Sequence, residues 1–479
     1  MIRLTHPSLS TLTALVMIGT LFVGAPGPVR ATADDIYIGF NVHTSGGSCT
    51  DPDFTASGTA DSTQIALAIA ETNVNGTLHF CPGTYDIDTT INLTGTDITL
   101  QGANAATTIL DGDDGGGATQ ILTSSGAITV SDLTFHDGYS DDHGGAIYAA
   151  TATVTSSTFT DNHAADHGGA IHATTATVSS STFTDNHAGD YGGAINATTV
   201  TVTDSNFTTN GADYGGAIRG NTATVTDSTF TGNTAATYGG AMQGGAGSVV
   251  RSRFVGNRAF GTDGGAIEVS GNLDTVRSYF ANNSALAEGS LHTDLDVDSG
   301  GGALWVGGEW TDLRSTFVGN WAGYEGGAVF AQENCVAVRN CYGHSRIIGT
   351  VFRNNFARQG GGAIATDFGD LSVTGARFIG NSTLGWGGAL LLNGDNITSD
   401  YENCAGTDNN CSLTVTRTQF SRNRAPARQA SVMVMANVAN SRVVFKSCRF
   451  GSVRRDSIIS TFARVRGARH IVEGEYLNP

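Results

Sequence analysis

Phe159-Thr160-Asp161-Asn162-His163-Ala164-Ala165-Asp166-His167-Gly168-Gly169-Ala170-Ile171 is followed, twenty-four positions on, by Phe183-Thr184-Asp185-Asn186-His187-Ala188-Gly189-Asp190-Tyr191-Gly192-Gly193-Ala194-Ile195. Two motifs therefore alternate. Phe-x-x-Asn continues through Phe207 with Asn210, Phe230 with Asn233 and Phe254 with Asn257, and reaches Phe420 with Asn423. Gly-Gly-Ala followed by an apolar residue begins at Gly144, Gly168, Gly192, Gly215, Gly239 and Gly264, then at wider intervals at Gly301, Gly326, Gly361 and Gly387. A fixed period in this range means stacked copies of one small unit.

The unit is a coil of strands, since 65 glycines and runs of Thr, Ser, Asp and Asn favour strands and turns over helices. Val154, Ser156 and Phe159, like Val178, Ser180 and Phe183, alternate apolar with polar at a period near two. A single unit cannot bury its apolar face, and stacking like on like does so. The phenylalanines and Ile147, Ile171, Ile195 and Ile218 then form interior columns at roughly 4.8 Å spacing. The asparagine three residues after each Phe reads as a buried amide ladder at a turn. The glycine pair reads as a tight corner needing positive φ and no Cβ. The expected fold is all-β, a single-stranded parallel β-helix with a short capping helix at its N-terminal end.

These alternating Gly-Gly-Ala-Ile and Phe-x-x-Asn motifs, over residues 135 to 423, resemble the repeats of the chlamydial polymorphic outer membrane proteins and of related secreted bacterial proteins. The resemblance implies a right-handed β-helix at the cell surface, commonly an adhesin. That family ends in an autotransporter barrel, and none is expected between the last repeat and Asn478-Pro479. The stretches Gly76-Thr77-Leu78-His79-Phe80-Cys81-Pro82-Gly83-Thr84-Tyr85 and Ile98-Thr99-Leu100-Gln101-Gly102 resemble the opening coils of the pectate-lyase-like superfamily, a likeness of fold that does not carry activity.

Four segments are expected: 1–33 a signal peptide, 34–134 a cap with the first coils, 135–427 the repeat helix, and 428–479 basic C-terminal coils and tail. Arg3, the apolar run from Leu12 to Val23 and Ala31-Thr32-Ala33 before Asp34 support export. No later run has the roughly 18 apolar residues of a membrane helix. Asp61 with Gln64 predicts a capping box for a helix over Ile65 to Ala70. Export favours disulfides, so Cys49–Cys81, Cys335–Cys341 and Cys404–Cys411 are the expected pairs, with Cys448 left over as a buried thiol or an intermolecular bridge.

The net charge of −18 argues against nucleic acid as partner. It is also divided: Asp34 to Val250 holds 23 acidic residues against Arg219, whereas Leu413 to Pro479 holds 12 basic residues against Asp456, Glu473 and Glu475. Opposite ends of this kind steer opposite partners, including the end of a second copy in self-association.

Three candidate sites emerge. Asp142, Asp166, Asp190 and Asp213 recur two positions before the glycine pair, and stacked carboxylates call for screening, protonation or a bridging cation such as calcium. Asp294, Asp296 and Asp298 form a partial calcium loop in an insertion. Immediately before the pair stand His143, His167, Tyr191, Tyr214, Tyr238 and, later, Trp386, a row able to stack on sugar rings or on itself. His143 and His167 with adjacent aspartates also offer a transition metal imidazole ligands.

The leading functional expectation is adhesion or another extracellular interaction with a glycan or surface protein. A polysaccharide lyase or glycoside hydrolase is the alternative, although no Asn-Thr-Asp, Gly-His-Gly or Arg-Ile-Lys element accompanies Asp141-Asp142-His143-Gly144. A structural envelope component is the third.

Overall fold

A computed structural model describes residues 33–41, 47–95, 97–112, 119–261, 263–286, 300–332, 344–367, 370–393, 412–426, 432–435, 442–451 and 459–462. The expected leader, the partial loop of Asp294, Asp296 and Asp298, the pairs Cys335–Cys341 and Cys404–Cys411, and most of the basic tail lie outside these residues.

The chain winds as a parallel β-helix. One coil consists of Ile171–Ser179, Thr182–Thr184 and His187–Ala188, each paired in parallel with its equivalents one coil before and after. Among the described residues these strands assemble into sheets of 25, 14 and 10 strands. From Gly264 onward the long strand is divided, as in Ile267–Val269 and Leu273–Val276, both of which pair with Met242–Val250.

The interior columns follow the repeat. Phe135 through Phe420 stack with ring centroids 4.6 to 5.1 Å apart and interplanar angles no larger than 13°. Each is buried, and burial of one such side chain contributes roughly 3 kcal/mol. Facing them run Ile147, Ile171, Ile195, Ile218, Met242 and Ile267 in register. The asparagines form the ladder read from sequence: Asn186 Nδ2 donates to Asn210 Oδ1 at 2.9 Å and to Phe159 O at 3.0 Å, and the pattern holds from Asn162 to Asn423. A second ladder runs beside it at the next turn. There each serine N–H donates to the hydroxyl one coil on, from Ser157 through Ser181, Ser205, Ser228, Ser252 and Ser278 to Ser315.

Every coil turns through left-handed residues, but only one turn requires glycine. Ser180 (φ 50) and Asp185 (φ 54) sit where side chains face open space; a Cβ on Gly375, equivalent to Ser180, or on Gly256, equivalent to Asp185, meets nothing within 4 Å. At the Gly-Gly corner the two glycines have separate reasons. Gly192 has φ 64, and a Cβ there would lie 2.2 Å from Ile195 O. Gly193 has no left-handed φ, but its Cβ would fall 2.2 Å from Gly216 O in the next coil. Two coils meet backbone to backbone at this corner.

The helix Ser62–Glu71 closes the N-terminal end, burying Ile65, Ala68 and Ile69 into the same core as Ile36 and Ile38. The capping box does not form. Asp61 has helical dihedrals and no cap bond; its carboxylate instead accepts from Ser57 N at 2.7 Å, Gly58 N at 3.0 Å and Asp86 N at 3.2 Å. The preceding turn captures the carboxylate that the helix would have used. Cys49 and Cys81 form a disulfide with Cα atoms 5.3 Å apart, tying the cap to the strand Thr72–Phe80. Cys448 is a buried thiol whose Sγ lies 3.4 Å from Val415 O. Among the described residues no helix is long and apolar enough to cross a membrane.

Candidate functional site

Because both glycines lack side chains, the residues on either side of the corner come together on the outer surface. The first column is the residue before the pair, in which His143, His167, Tyr191 and Tyr214 bridge coil to coil. The second is the residue after the apolar position, beginning Tyr148, His172, Asn196, Arg219. Tyr191 and Arg219 show how the columns meet: the guanidinium carbon lies 4.9 Å from the ring centroid.

The aromatic row packs on itself. His167 and Tyr191 stack at 4.8 Å, Tyr191 and Tyr214 tilt at 5.2 Å, and Tyr214 and Tyr238 meet edge to face at 5.7 Å. Tyr191, Tyr214 and Tyr238 each remain half-buried, while Trp386, far along the same corner, is 36% exposed. Of the other tryptophans, Trp310 is wholly buried in the core and Trp305 lies in a small outer cluster with Phe330, Ala365 and Leu391.

Asp142, Asp190 and Asp213 project into solvent, and Asp166 is half-buried. The first three backbones are in register, Asp166 N donating to Asp142 O at 2.9 Å and Asp190 N to Asp166 O at 2.8 Å, whereas Asp213 N donates to Gly189 O at 3.3 Å. The close grouping of ligand atoms is a mixed one: His143, Asp166 and His167 each place one such atom within 4.8 Å of the others. His172, which sequence reasoning did not single out, stacks on His143 at 4.5 Å. Burial holds the His172 imidazole down to about 4, with the neighbouring His143 and His167 acting in the same direction. Burial also lowers His167. A second cluster joins Asp111, His136 and Asp137.

Glu268 was also missed. It occupies the second column, is 7% exposed, and burial pushes its carboxyl up to about 7, a shift that a hydrogen bond from Gln243 partly offsets. Neighbours in that column share an unusual property: Asn196 Oδ1, Gln243 Oε1, Glu268 Oε2 and Trp305 Nε1 are buried without a hydrogen-bond partner. Only the coil register assembles this column, because its residue type changes at every step. A further buried carboxylate, Asp312, faces the interior and is held by Thr275 Oγ1 at 2.6 Å, by Thr350 Oγ1 and by Ser315 N at 3.3 Å. Burial raises it as well. Trp310 Nε1 completes that network by donating to Thr275 Oγ1 at 3.0 Å, so Asp312 serves the core.

The molecule is thus a repeat-built parallel β-helix carrying a side-chain strip along one corner. Three segments, residues 156–174, 180–198 and 227–241, match the Chlamydia polymorphic membrane protein (Chlamydia_PMP) repeat. No curated protein matches the chain. Three solved structures similar to it are enzymes. The catalytic unit of the GH87 α-1,3-glucanase of Streptomyces thermodiastaticus has 13% identity and TM-score 0.37, over 89% of this chain and 67% of that one. The A-module of the Azotobacter vinelandii mannuronan C-5 epimerase AlgE6 has 12% identity and TM-score 0.30, over 89% and 98%. The PL6 family alginate lyase AlyGC has 10% identity and TM-score 0.28, over 91% and 80%. Likeness at this level carries no statement about chemistry.

Proposed function

We propose that the chain is exported and acts outside the cell as a binding surface of the adhesin type, taking an extended glycan along the Gly-Gly corner. The observation that carries this reading is the half-exposed aromatic row His143, His167, Tyr191, Tyr214 and Tyr238, unbroken over five coils and preordered by ring-to-ring contacts. A ring row at coil spacing offers faces and edges to successive sugars. In this reading the exposed aspartates beside it hold calcium against sugar hydroxyls. The repeat match to a polymorphic membrane protein supports display at the cell surface.

One observation favours the enzymatic alternative. Glu268, a carboxyl held protonated near neutrality in the corner, has the character of a general acid. A hydrolase needs a second carboxylate at defined separation. Its depth beneath the strip favours the binding reading.

The test is retention of the full chain on immobilised neutral and acidic polysaccharides, with and without calcium. The triple variant Tyr191→Ala, Tyr214→Ala, Tyr238→Ala is expected to lose on the order of a hundredfold in affinity, each ring contributing about 1 kcal/mol. Equal retention of wild type and variant, or retention of neither, overturns the reading.

A further inference from the structure

The histidines at the N-terminal end of the corner are arranged differently from the tyrosines that follow. His143 and His167 occupy equivalent positions in adjacent coils, yet their rings do not stack. Their centroids are 4.5 Å apart with planes at 79°, whereas His163 and His187, also one coil apart, lie at 9°. The His143 and His167 rings each place one nitrogen within 4.8 Å of the other's. Asp166, half-buried, brings a carboxylate oxygen to the same place.

We propose that His143, Asp166 and His167 form a zinc-binding tripod. Two imidazoles and one carboxylate are a zinc ligand set that leaves a fourth position open to water or to a group on a partner. The second observation is an orphan nitrogen. His167 Nδ1 is buried and has no hydrogen-bond partner, which is costly in a finished fold and is relieved by a ligated ion.

His172 supports the tripod without joining it. Its Nδ1 accepts from Asn196 Nδ2 at 3.2 Å, which places its proton on Nε2 and leaves no free lone pair for a metal. Stacked on His143 at 4.5 Å, it packs against that ring. His143 Nδ1 is a second orphan: it lies 3.1 Å from Asp142 Oδ1 but is buried without a hydrogen-bond partner. Asp190, one coil on, adds negative potential at His167.

The second cluster is an internal control. There a single imidazole, His136, has carboxylates at both nitrogens: Asp111 at 3.3 Å and Asp137 at 3.2 Å from Nδ1, and Asp161 at 3.8 Å from Nε2. That cluster offers one imidazole among carboxylates, without the second imidazole of the tripod.

The experiment is equilibrium dialysis of the full chain against zinc chloride, with Co²⁺ substitution as an independent spectroscopic readout. One zinc per chain is expected, with a visible cobalt band of low-coordinate geometry. His167→Gln should weaken binding at least tenfold and abolish the band. Asp166→Asn, a change at a half-buried position that spares the fold, should weaken it by a similar factor, and His136→Gln should change neither readout. No bound zinc, native affinity in both His167→Gln and Asp166→Asn, or loss of binding in His136→Gln would overturn the proposal.

Discussion

The two faces of the glycine corner follow different rules over the same coils. Inside, Phe, Asn and the apolar column hardly change from Phe135 to Phe420, and the ring spacing stays between 4.6 and 5.1 Å. Outside, the second column passes from His172, Asn196, Arg219, Gln243 and Glu268 to Trp305, Phe330, Ala365 and Leu391. It changes from polar to apolar where the repeat lengthens after Gly264. The interior must match itself coil after coil to remain a stack, so selection for folding leaves it no freedom. The outer strip carries no such constraint, and its residue type changes from coil to coil.

The most severe break of this contrast is inside. Gly193→Val puts a β-branched side chain where even a Cβ lies 2.2 Å from Gly216 O and 2.5 Å from Gly211 O. The coils have no room to separate without losing the hydrogen bonds on both sides. Loss of cooperative thermal unfolding by circular dichroism is expected, while a variant that melts like wild type would show that the corner is not a backbone contact.

A smaller effect sharpens the outer side. Glu268 holds its proton up to about 7 when folded, against 4.5 for the ordinary group. Between those values the folded chain binds more protons than the unfolded one, so stability falls as pH rises. The contribution is fully present below about 4.5 and lost above about 7. Glu268→Gln removes this dependence and should be more stable than wild type at pH 8 by on the order of 3 kcal/mol. Buried Asp312 drives stability in the same direction and remains in the variant, so the difference between the two melting profiles isolates Glu268. Superimposable profiles would mean that Glu268 is solvated.

The inner rule is legible in sequence because identical residues recur: Phe183 and Asn186 announce their columns by repetition alone. The outer rule is legible only in part. His143, His167 and Tyr191 were visible because each abuts a glycine pair. His172 and Glu268 were not, since no two neighbours in their column share a residue type and only pairing such as His172 with Asn196 brings them into line. The capping box at Asp61 failed for a related reason. A local pattern cannot show that Ser57, Gly58 and Asp86 converge on the same carboxylate.

The central claim is that this corner binds an extended polymer and leaves it intact. It is tested most directly by the size distribution of neutral and acidic polysaccharides after incubation with the full chain in calcium, followed by separation of bound from free polymer. The account predicts chains of unchanged length in the bound fraction. Shortened chains would contradict it and assign catalysis to the carboxyl groups of the corner, beginning with Glu268.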